Sequence, residues 1–293
     1  MTSRFAPLRP NLKPGARLLV LLLIVVFAGS GCARIGKMLK KGDTADEGVP
    51  VEELYTKAHE SMTRGNWSAA ETTFKRLIAQ YPYGDYTEQA LVETAYAQYK
   101  SGKHEDAISS IDRFIRTYPT HRLTSYMYYL RGLVNSTRDA VFLQKVWKLD
   151  ASRRDLATPT QAYNDFSIVV ERYPNSRYAE DARKRMAELR NLFARHELDA
   201  ALYYYRRTAY VAAANRAKYL LETYPQSVHQ NDAVAMLAAA YTGLGNETLA
   251  ADARRVLQQN DPNHPYLRGD WPDYPSNLRK LNPFASEQSA IDR

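Results

Sequence analysis

A repeated pairing of proline with an upstream alanine constrains the fold of this chain more than any other sequence feature. Five prolines follow an aromatic residue or an aspartate, and an alanine stands twelve residues before each of them. The position five residues before each proline is also apolar. These spacings place the alanine and the apolar residue on one face of a helix that the proline ends. The prolines are Pro82, Pro119, Pro174, Pro225 and Pro262, the alanines are Ala70, Ala107, Ala162, Ala213 and Ala250, and the apolar residues are Leu77, Phe114, Val169, Leu220 and Leu257.

Glycine precedes three of these alanines by five residues, at Gly65, Gly102 and Gly245. Because glycine readily takes the left-handed conformation that closes a helix, each unit is predicted to be helix A, a tight turn, helix B and proline. The pattern resembles the tetratricopeptide (TPR) repeat, a helical hairpin of about 34 residues. We therefore predict an all-α fold between Val51 and Pro262, a solenoid of about five TPR-like helical hairpins with about ten helices.

Two of the intervals between repeats are longer than the others. In repeat 3 an insertion at residues 135–160 separates the two helices, and Thr158-Pro159 is predicted to be an N-cap followed by the first residue of helix B. The stretch Ala179–Arg207 lacks glycine and proline, which predicts one long helix or two nearly continuous ones. The expected divisions are an N-terminal half at 50–178, a C-terminal half at 179–262 and an extended, proline- and aromatic-rich tail at 263–293.

The first 31 residues have the pattern of an exported leader. Residues 1–17 are basic, residues 18–27 are an unbroken apolar run, and four small residues lead to Cys32, the only cysteine. Ten residues rise about 15 Å as a helix, half of the hydrocarbon core of a membrane, so this run predicts a signal peptide and not a span. The end of this leader resembles a lipobox. The resemblance implies that residues 1–31 are removed and that Cys32 carries S-diacylglycerol and N-palmitoyl groups. The alternative is an ordinary signal peptide with a chance cysteine.

The residues around Cys32 refine this expectation. The lipobox pattern has an aliphatic residue three positions before the cysteine, where this chain has Gly29. By analogy with other lipoproteins, Ala33 after the cysteine favours the outer membrane over the inner membrane. Residues 32–49 are polar and contain glycine, which predicts an acylated N-terminus followed by a flexible tether. The chain is therefore expected to be lipid-anchored at the cell outer membrane and to face the periplasm.

Charge and motif content exclude several classes of function. The formal charge is +8, and it falls to +4 once the four basic residues of the leader, Arg4, Arg9, Lys13 and Arg17, are removed. No basic tract typical of a nucleic-acid arm is present, so nucleic acid is not an expected partner. No two of the six histidines lie within five residues, and no GxSxG, Walker A or GxGxxG motif occurs. We therefore expect no catalytic residue, no metal site, no cofactor and no enzyme activity.

Local stretches over nearly the whole mature chain are similar to the BamD family, the lipoprotein subunits of the β-barrel assembly machinery. The resemblance departs at Gly29 of the lipobox and in the tail after Pro262. It implies a scaffold that binds BamA and unfolded outer-membrane proteins and promotes their folding and insertion. The BamA contact is expected at a periplasmic POTRA domain, and small lipoproteins similar to BamC and BamE are further expected partners. The similar stretches are residues 66–70, 111–121, 126–133, 173–178 and 203–216.

The resemblance implies roles for two groups of residues. Arg207 stands at the place of a family arginine associated with BamA, and Arg216 follows it in helix B of repeat 4. Tyr81, Gly84 and Tyr86 lie in a turn that borders the N-terminal groove of the family, where substrate is expected. Both groups have simpler interpretations. The arginines could be solvated helix charges, and Tyr81 shares its position in the repeat with other tyrosines, which favours packing.

Two other classes of protein remain possible from the sequence alone. Another TPR lipoprotein, such as a pilotin for secretin or pilus assembly, would share the anchor and the repeats. The insertion at 135–160 and the sequence of repeat 4 argue against it. A cell-wall enzyme or peptidoglycan-binding protein is the second alternative, and the sequence nominates no acid–base pair for it.

Overall fold

The computed structural model describes residues 48–137 and 155–271. The described residues form ten α-helices and one short 3-10 helix, and they contain no strand. This confirms the all-α prediction. The α-helices are α1 (Val51–Thr63), α2 (Trp67–Gln80), α3 (Asp85–Lys100), α4 (His104–Thr117), α5 (Thr124–Thr137), α6 (Ala157–Arg172), α7 (Ala179–Tyr205), α8 (Tyr210–Thr223), α9 (Gln230–Gly243) and α10 (Glu247–Asn260), and the 3-10 helix is Pro265–Arg268.

The proline of each repeat ends its helix B as the spacing predicts. The residue before the proline is the C-cap, with φ between −122° and −147°, outside the helical region that a following proline disfavours. Its N–H donates to the carbonyl of the apolar residue four positions earlier, as from Tyr81 to Leu77 at 2.8 Å and from Asp261 to Leu257 at 2.7 Å. All five helices B therefore end with the same hydrogen bond, and the residue after each helix has a similar non-helical backbone conformation.

The two repeated side-chain positions form the core of the hairpins. All five alanines and all five apolar residues of the repeat pattern are fully buried, with no exposed side-chain surface. From α2 to α10, each helix packs on the next in the chain, and helices A of neighbouring repeats also touch, α3 against α5 and α7 against α9. Alanine at the crossing allows this close approach because it adds no side chain beyond Cβ.

The turns from helix A to helix B close by backbone hydrogen bonds around a left-handed residue. Gly65, Gly102 and Gly245 have φ of 75°, 77° and 71°, which confirms the prediction that glycine closes these helices. In two of the turns the next residue is an asparagine whose side chain caps helix B. Asn66 accepts from the Ala69 N–H at 3.2 Å, and Asn246 accepts from the Leu249 N–H at 3.1 Å.

A network of one buried and two partly exposed charges links repeats 2 and 3 across α4, α5 and α6. The Arg131 guanidinium donates to Asp165 at 2.6 Å and to Asp112 at 2.5 Å, and the Asn135 amide donates to the second oxygen of Asp165 at 2.9 Å. Because Asp165 is buried, each of these donors satisfies a carboxylate that would otherwise be costly to bury. The network therefore orients three helices relative to one another.

The helices of repeats 3 and 4 differ from the predicted boundaries by a few residues. Helix α5 continues to Thr137 and α6 already begins at Ala157, so both helices enter the range 135–160 predicted for the insertion. The N-cap of α6 is Leu156, which puts Thr158 and Pro159 inside the first turn; the prediction that Thr158 is the N-cap is wrong. Helix α7 is a single helix of 27 residues, as the absence of glycine and proline predicts.

The described part of the C-terminal tail is folded and not extended, contrary to the prediction for 263–293. The 3-10 helix Pro265–Arg268 ends at Gly269, whose φ is 82°. Trp271 is 7% exposed and joins the hydrophobic cluster of repeats 4 and 5. Its indole N–H donates to Asp232 of α9 at 3.1 Å, and His264 lies 3.2 Å from the same carboxylate oxygen. The tail adopts this conformation because it contacts Asp232 of α9, which is distant from the tail in sequence.

Candidate partner-binding surfaces

The turn after repeat 1 holds two of the three residues expected at the N-terminal groove. Tyr81 is half-buried as the C-cap of α2, and its carbonyl accepts a hydrogen bond from the buried Thr87 hydroxyl. Gly84 is the N-cap of α3 with φ of 113°, a conformation that residues with a Cβ rarely adopt. Its carbonyl accepts the N–H groups of Thr87 and Glu88 at 3.0 and 3.1 Å. Tyr81 and Gly84 therefore shape the turn.

Tyr86, the third of these residues, belongs to an aromatic and carboxylate cluster of α1 and α3. Its ring is 38% exposed and lies 5.3 Å from the ring of Tyr55. The Tyr55 hydroxyl donates to Glu93 at 2.7 Å, and burial together with this hydrogen bond raises the pKa of Tyr55 well above its usual range. His59 lies 3.3 Å from the other Glu93 oxygen. Glu93 is 8% exposed, so its carboxylate is used within the cluster. The partly exposed Tyr86 ring, tilted 55° to Tyr55, suits contact with an aromatic side chain of a peptide.

A cavity of about 360 Å³ lies between α3 and the turn that leads from α4 to α5. His121 Nε2 lies 3.2 Å from a Glu88 carboxylate oxygen at its wall. Gln89 lines the cavity and also donates to Glu93 at 2.9 Å, so the cavity and the aromatic cluster share a residue. Its lining is polar and carries both signs of charge: Asp85, Glu88, Gln89, His121 and Arg122.

Arg207 lies in the exposed turn between α7 and α8. Its guanidinium carbon is 4.1 Å from the centre of the Tyr203 ring, and the guanidinium also donates to the Tyr203 hydroxyl. Tyr203 is itself 50% exposed. No carboxylate pairs with Arg207 among the residues that the structure describes. A cation held on an aromatic ring without an acidic partner suits recognition of a carboxylate on another molecule.

Arg216 is placed differently from Arg207. It donates to Glu197 of α7 at 2.9 Å, and Glu197 is 8% exposed. This pair joins α8 to α7 and raises the pKa of Arg216 through the hydrogen bond. The two arginines that the resemblance groups together are therefore not equivalent: one is committed to an internal ion pair and the other points to solvent.

The expected lipidation site, Cys32, lies outside the described residues. Within residues 48–137 and 155–271, no helix combines the length and hydropathy needed to cross a membrane. The same residues contain no group of three histidine, cysteine or acidic side chains arranged to hold a metal ion.

Sequence reasoning missed several residues of these surfaces. The spacing of Tyr203 and Arg207, four residues apart near a helix end, is a signal for the stacked pair that could have been used. The glycine position of the turn in repeat 4 is held by Thr208, whose φ is 58°. The pairings of Glu93 with Tyr55 and of Asp232 with His264 carry no local signal, because the two residues of each pair are more than thirty residues apart in sequence.

The stacked helical hairpins define the class of this protein, a TPR-like helical repeat protein. The chain belongs to the YfiO family of outer membrane lipoproteins, whose model matches residues 47–257. The family resemblance inferred from the sequence is thereby confirmed.

Curated relatives agree with this assignment. A protein of Xylella fastidiosa named outer membrane protein assembly factor BamD is 64% identical over 282 residues, which cover 96% of this chain and 95% of the relative. A protein of the same name from Neisseria meningitidis is 37% identical over 253 residues, covering 85% of this chain and 94% of the relative. Among solved structures, the TPR2AB-domain:pHSP90 complex of yeast Sti1 has 13% identity, covers 74% of this chain and 79% of its own, and gives a TM-score of 0.43, too low to support an argument.

Proposed function

We propose that this chain is an outer membrane protein assembly factor that binds BamA and unfolded outer-membrane proteins at the periplasmic face of the outer membrane. The names of the relatives and the family of outer membrane lipoproteins support this role. They do not support the pilotin alternative. In the proposal the mature chain is anchored through acyl groups on Cys32, and small lipoproteins similar to BamC and BamE complete the assembly.

The observation that carries the proposal is the exposed pair of Arg207 and Tyr203. The tyrosine ring desolvates one face of the guanidinium and leaves its outer N–H groups free for a carboxylate. Arginine binds carboxylates with two parallel hydrogen bonds, which gives both affinity and orientation. We assign BamA to this surface. Arg216 contributes indirectly in this scheme, because its ion pair with Glu197 holds α8 against α7.

The N-terminal surface formed by Tyr86, Tyr55 and Glu93 is the proposed substrate groove. An unfolded outer-membrane protein offers unpaired backbone groups and aromatic side chains. The partly exposed Tyr86 ring complements the aromatic side chains, and the Tyr55–Glu93 hydrogen bond holds the ring beside it in place. Tyr81 and Gly84 support the groove by shaping its turn, and they need not contact the substrate themselves.

The decisive experiment measures binding of the full chain in detergent to the purified periplasmic region of BamA. Arg207→Glu is expected to raise the dissociation constant at least tenfold, because reversal removes a hydrogen-bonded charge pair and adds repulsion. The melting temperature should stay near wild type, since an exposed arginine contributes little to folding stability.

Lys184→Glu is the matched control. Lys184 is an exposed cation near the start of α7, about 35 Å along the helix from Arg207. Its reversal should leave BamA binding within about twofold, which is less than 0.5 kcal/mol. Wild-type affinity of the Arg207→Glu variant would exclude this arginine from the interface and defeat the proposal for this surface.

A further inference from the structure

The turn between α7 and α8 contains a threonine where the other turns of its kind contain glycine. Five residues before the repeat alanine, repeats 1, 2 and 5 have Gly65, Gly102 and Gly245, all with positive φ. Repeat 4 has Thr208 at this position, with φ of 58°. Thr208 is the one residue other than glycine with positive φ in the described part of the chain.

The backbone of this turn is the same as in the glycine turns. The Thr208 N–H donates to the Tyr205 carbonyl at 2.9 Å, and the Ala209 N–H donates to the Tyr204 carbonyl at 3.1 Å. In repeat 2 the corresponding bonds run from Gly102 to Tyr99 at 3.1 Å and from Lys103 to Gln98 at 2.9 Å. Glycine therefore satisfies the same hydrogen bonds without strain. A β-branched residue is disfavoured in this region, so the turn itself gives no reason for threonine.

A threonine in this conformation has one clear physical consequence, which is a stiffer turn. Glycine visits many backbone conformations, whereas a residue with a Cβ visits few. The Thr208 hydroxyl donates to the Arg207 carbonyl at 2.6 Å and thereby ties the side chain to the peptide group between the two residues. The residue held by this bond is Arg207, whose guanidinium stacks on the exposed ring of Tyr203.

We propose that Thr208 is a positioning residue. It holds Arg207 on Tyr203 in the orientation in which Arg207 binds a carboxylate of the protein partner. The strain in the turn restricts Arg207 before binding, so less conformational freedom is lost when the partner docks. The inference rests on the proposed function of Arg207 and adds a residue that does not touch the partner. It predicts that folding stability and partner affinity change in opposite directions when the strain is removed.

The test is Thr208→Gly in the full chain, with the purified periplasmic region of BamA as the probe. The melting temperature should rise by about 2–4 °C, because the left-handed strain is relieved. The dissociation constant should rise at least threefold, because Arg207 is no longer held. A purely structural residue would not weaken binding while stabilising the fold.

Gly102→Thr is the matched control in repeat 2. A Cβ at Gly102 meets no atom within 4 Å, so the substitution introduces left-handed strain without a clash at Cβ. It should lower the melting temperature and leave BamA affinity at the wild-type value. A Thr208→Gly variant with unchanged affinity, or one without a rise in melting temperature, would overturn the positioning role. Failure of the proposed function is distinguishable, since it would appear as wild-type affinity of Arg207→Glu.

Discussion

The methyl group of the repeat alanine sets the distance between the packed helices of each hairpin. The five repeat alanines are fully buried on helix B, and in three of the five repeats both sequence neighbours of the alanine are exposed or half-buried. A well-packed interior does not expand to accept extra atoms, so a larger side chain there must displace a helix or adopt a strained rotamer. The alanine pattern therefore reports geometry and not merely helix propensity.

The pair Ala250 and Ala251 in α10 tests this directly. Ala250 is fully buried against the rest of the hairpin, whereas Ala251 is exposed. Ala250→Leu should lower the free energy of unfolding by about 1–3 kcal/mol through overpacking. Ala251→Leu, the same change one residue later in the same helix, should cost less than about 0.5 kcal/mol. Urea denaturation followed by circular dichroism measures both, and equal losses would show that the alanine does not lie at the crossing.

Lys103 shows how a residue can be misjudged from its place in a turn. Next to Gly102, it has the sequence context of a dispensable loop residue. In the structure its amine lies 2.7 Å from Glu71 of α2, a carboxylate that is 4% exposed. Lys103 is therefore one of two lysines that pair with this buried carboxylate, the other being Lys75 at 2.7 Å. Its substitution would remove one of the donors that compensate the charge of Glu71.

At the scale of elements, this ion pair joins helix B of repeat 1 to the hairpin of repeat 2. Burial of Glu71 raises its pKa, but hydrogen bonds from Lys103, Lys75 and Gln98 outweigh that effect and lower the pKa to about 2. The ordinary value is 4.5. The folded chain thus holds the proton of Glu71 less tightly than the unfolded chain does. This contribution to stability is complete above the unfolded value and is lost as the pH falls from about 4.5 through about 2.

Glu71→Gln makes this contribution visible. At pH 7 the variant should be less stable than wild type by roughly 1–3 kcal/mol, since one pKa unit corresponds to 1.36 kcal/mol. The difference should shrink at pH 3, because the glutamate of the unfolded chain is then mostly protonated whereas that of the folded chain is still mostly charged. Glu60→Gln, a change at an exposed glutamate of α1, should have little effect at either pH. Urea titrations at both pH values measure the free energy of unfolding of each variant. If the difference between wild type and Glu71→Gln does not depend on pH, the lowered pKa of Glu71 is not its cause.

At the scale of the whole molecule, the last hairpin of a repeat stack needs a cover for its outer apolar surface. In this chain the segment after Pro262 supplies one. Trp271 packs in the cluster of repeats 4 and 5, and Asp232 accepts its indole N–H. The Nδ1 atom of His264 accepts the Tyr266 N–H at 3.2 Å, which leaves Nε2 to donate to Asp232. Terminal repeats commonly require such a cap for solubility.

Trp271→Ala should release this cap. Loss of a buried tryptophan costs about 3–5 kcal/mol where the surroundings cannot collapse. Local release of the segment should also accelerate trypsin cleavage at the exposed Arg268 by at least tenfold, a change of about 1.4 kcal/mol in the opening equilibrium. Asn263→Ala, at an exposed residue of the same segment, is the control and should leave the cleavage rate unchanged. Equal cleavage of wild type and Trp271→Ala would show that Trp271 does not hold the segment.

The sequence by itself determined the elements of this protein, because each depends on a local rule. Proline ends helix B whatever surrounds it, glycine closes helix A, and a period of about 3.6 residues selects the buried face. These rules predicted the fully buried alanines, and they left one long helix or two nearly continuous ones for the stretch in which the structure has the single helix α7. The family resemblance rests on longer stretches of the same sequence, and it was confirmed. Boundaries such as the start of α6 were missed by a few residues, because local capping signals compete there.

Tertiary structure alone decided which polar side chains are paired and which are free. Arg207 and Arg216 look alike in sequence, yet one stacks on an exposed ring and the other binds Glu197. Lys103 meets Glu71, and the tail folds onto Asp232, across separations of 32 residues or more. Such pairings depend on where whole helices come to lie. No local rule encodes them, because electrostatic and packing energies depend on distance in space and not on distance along the chain.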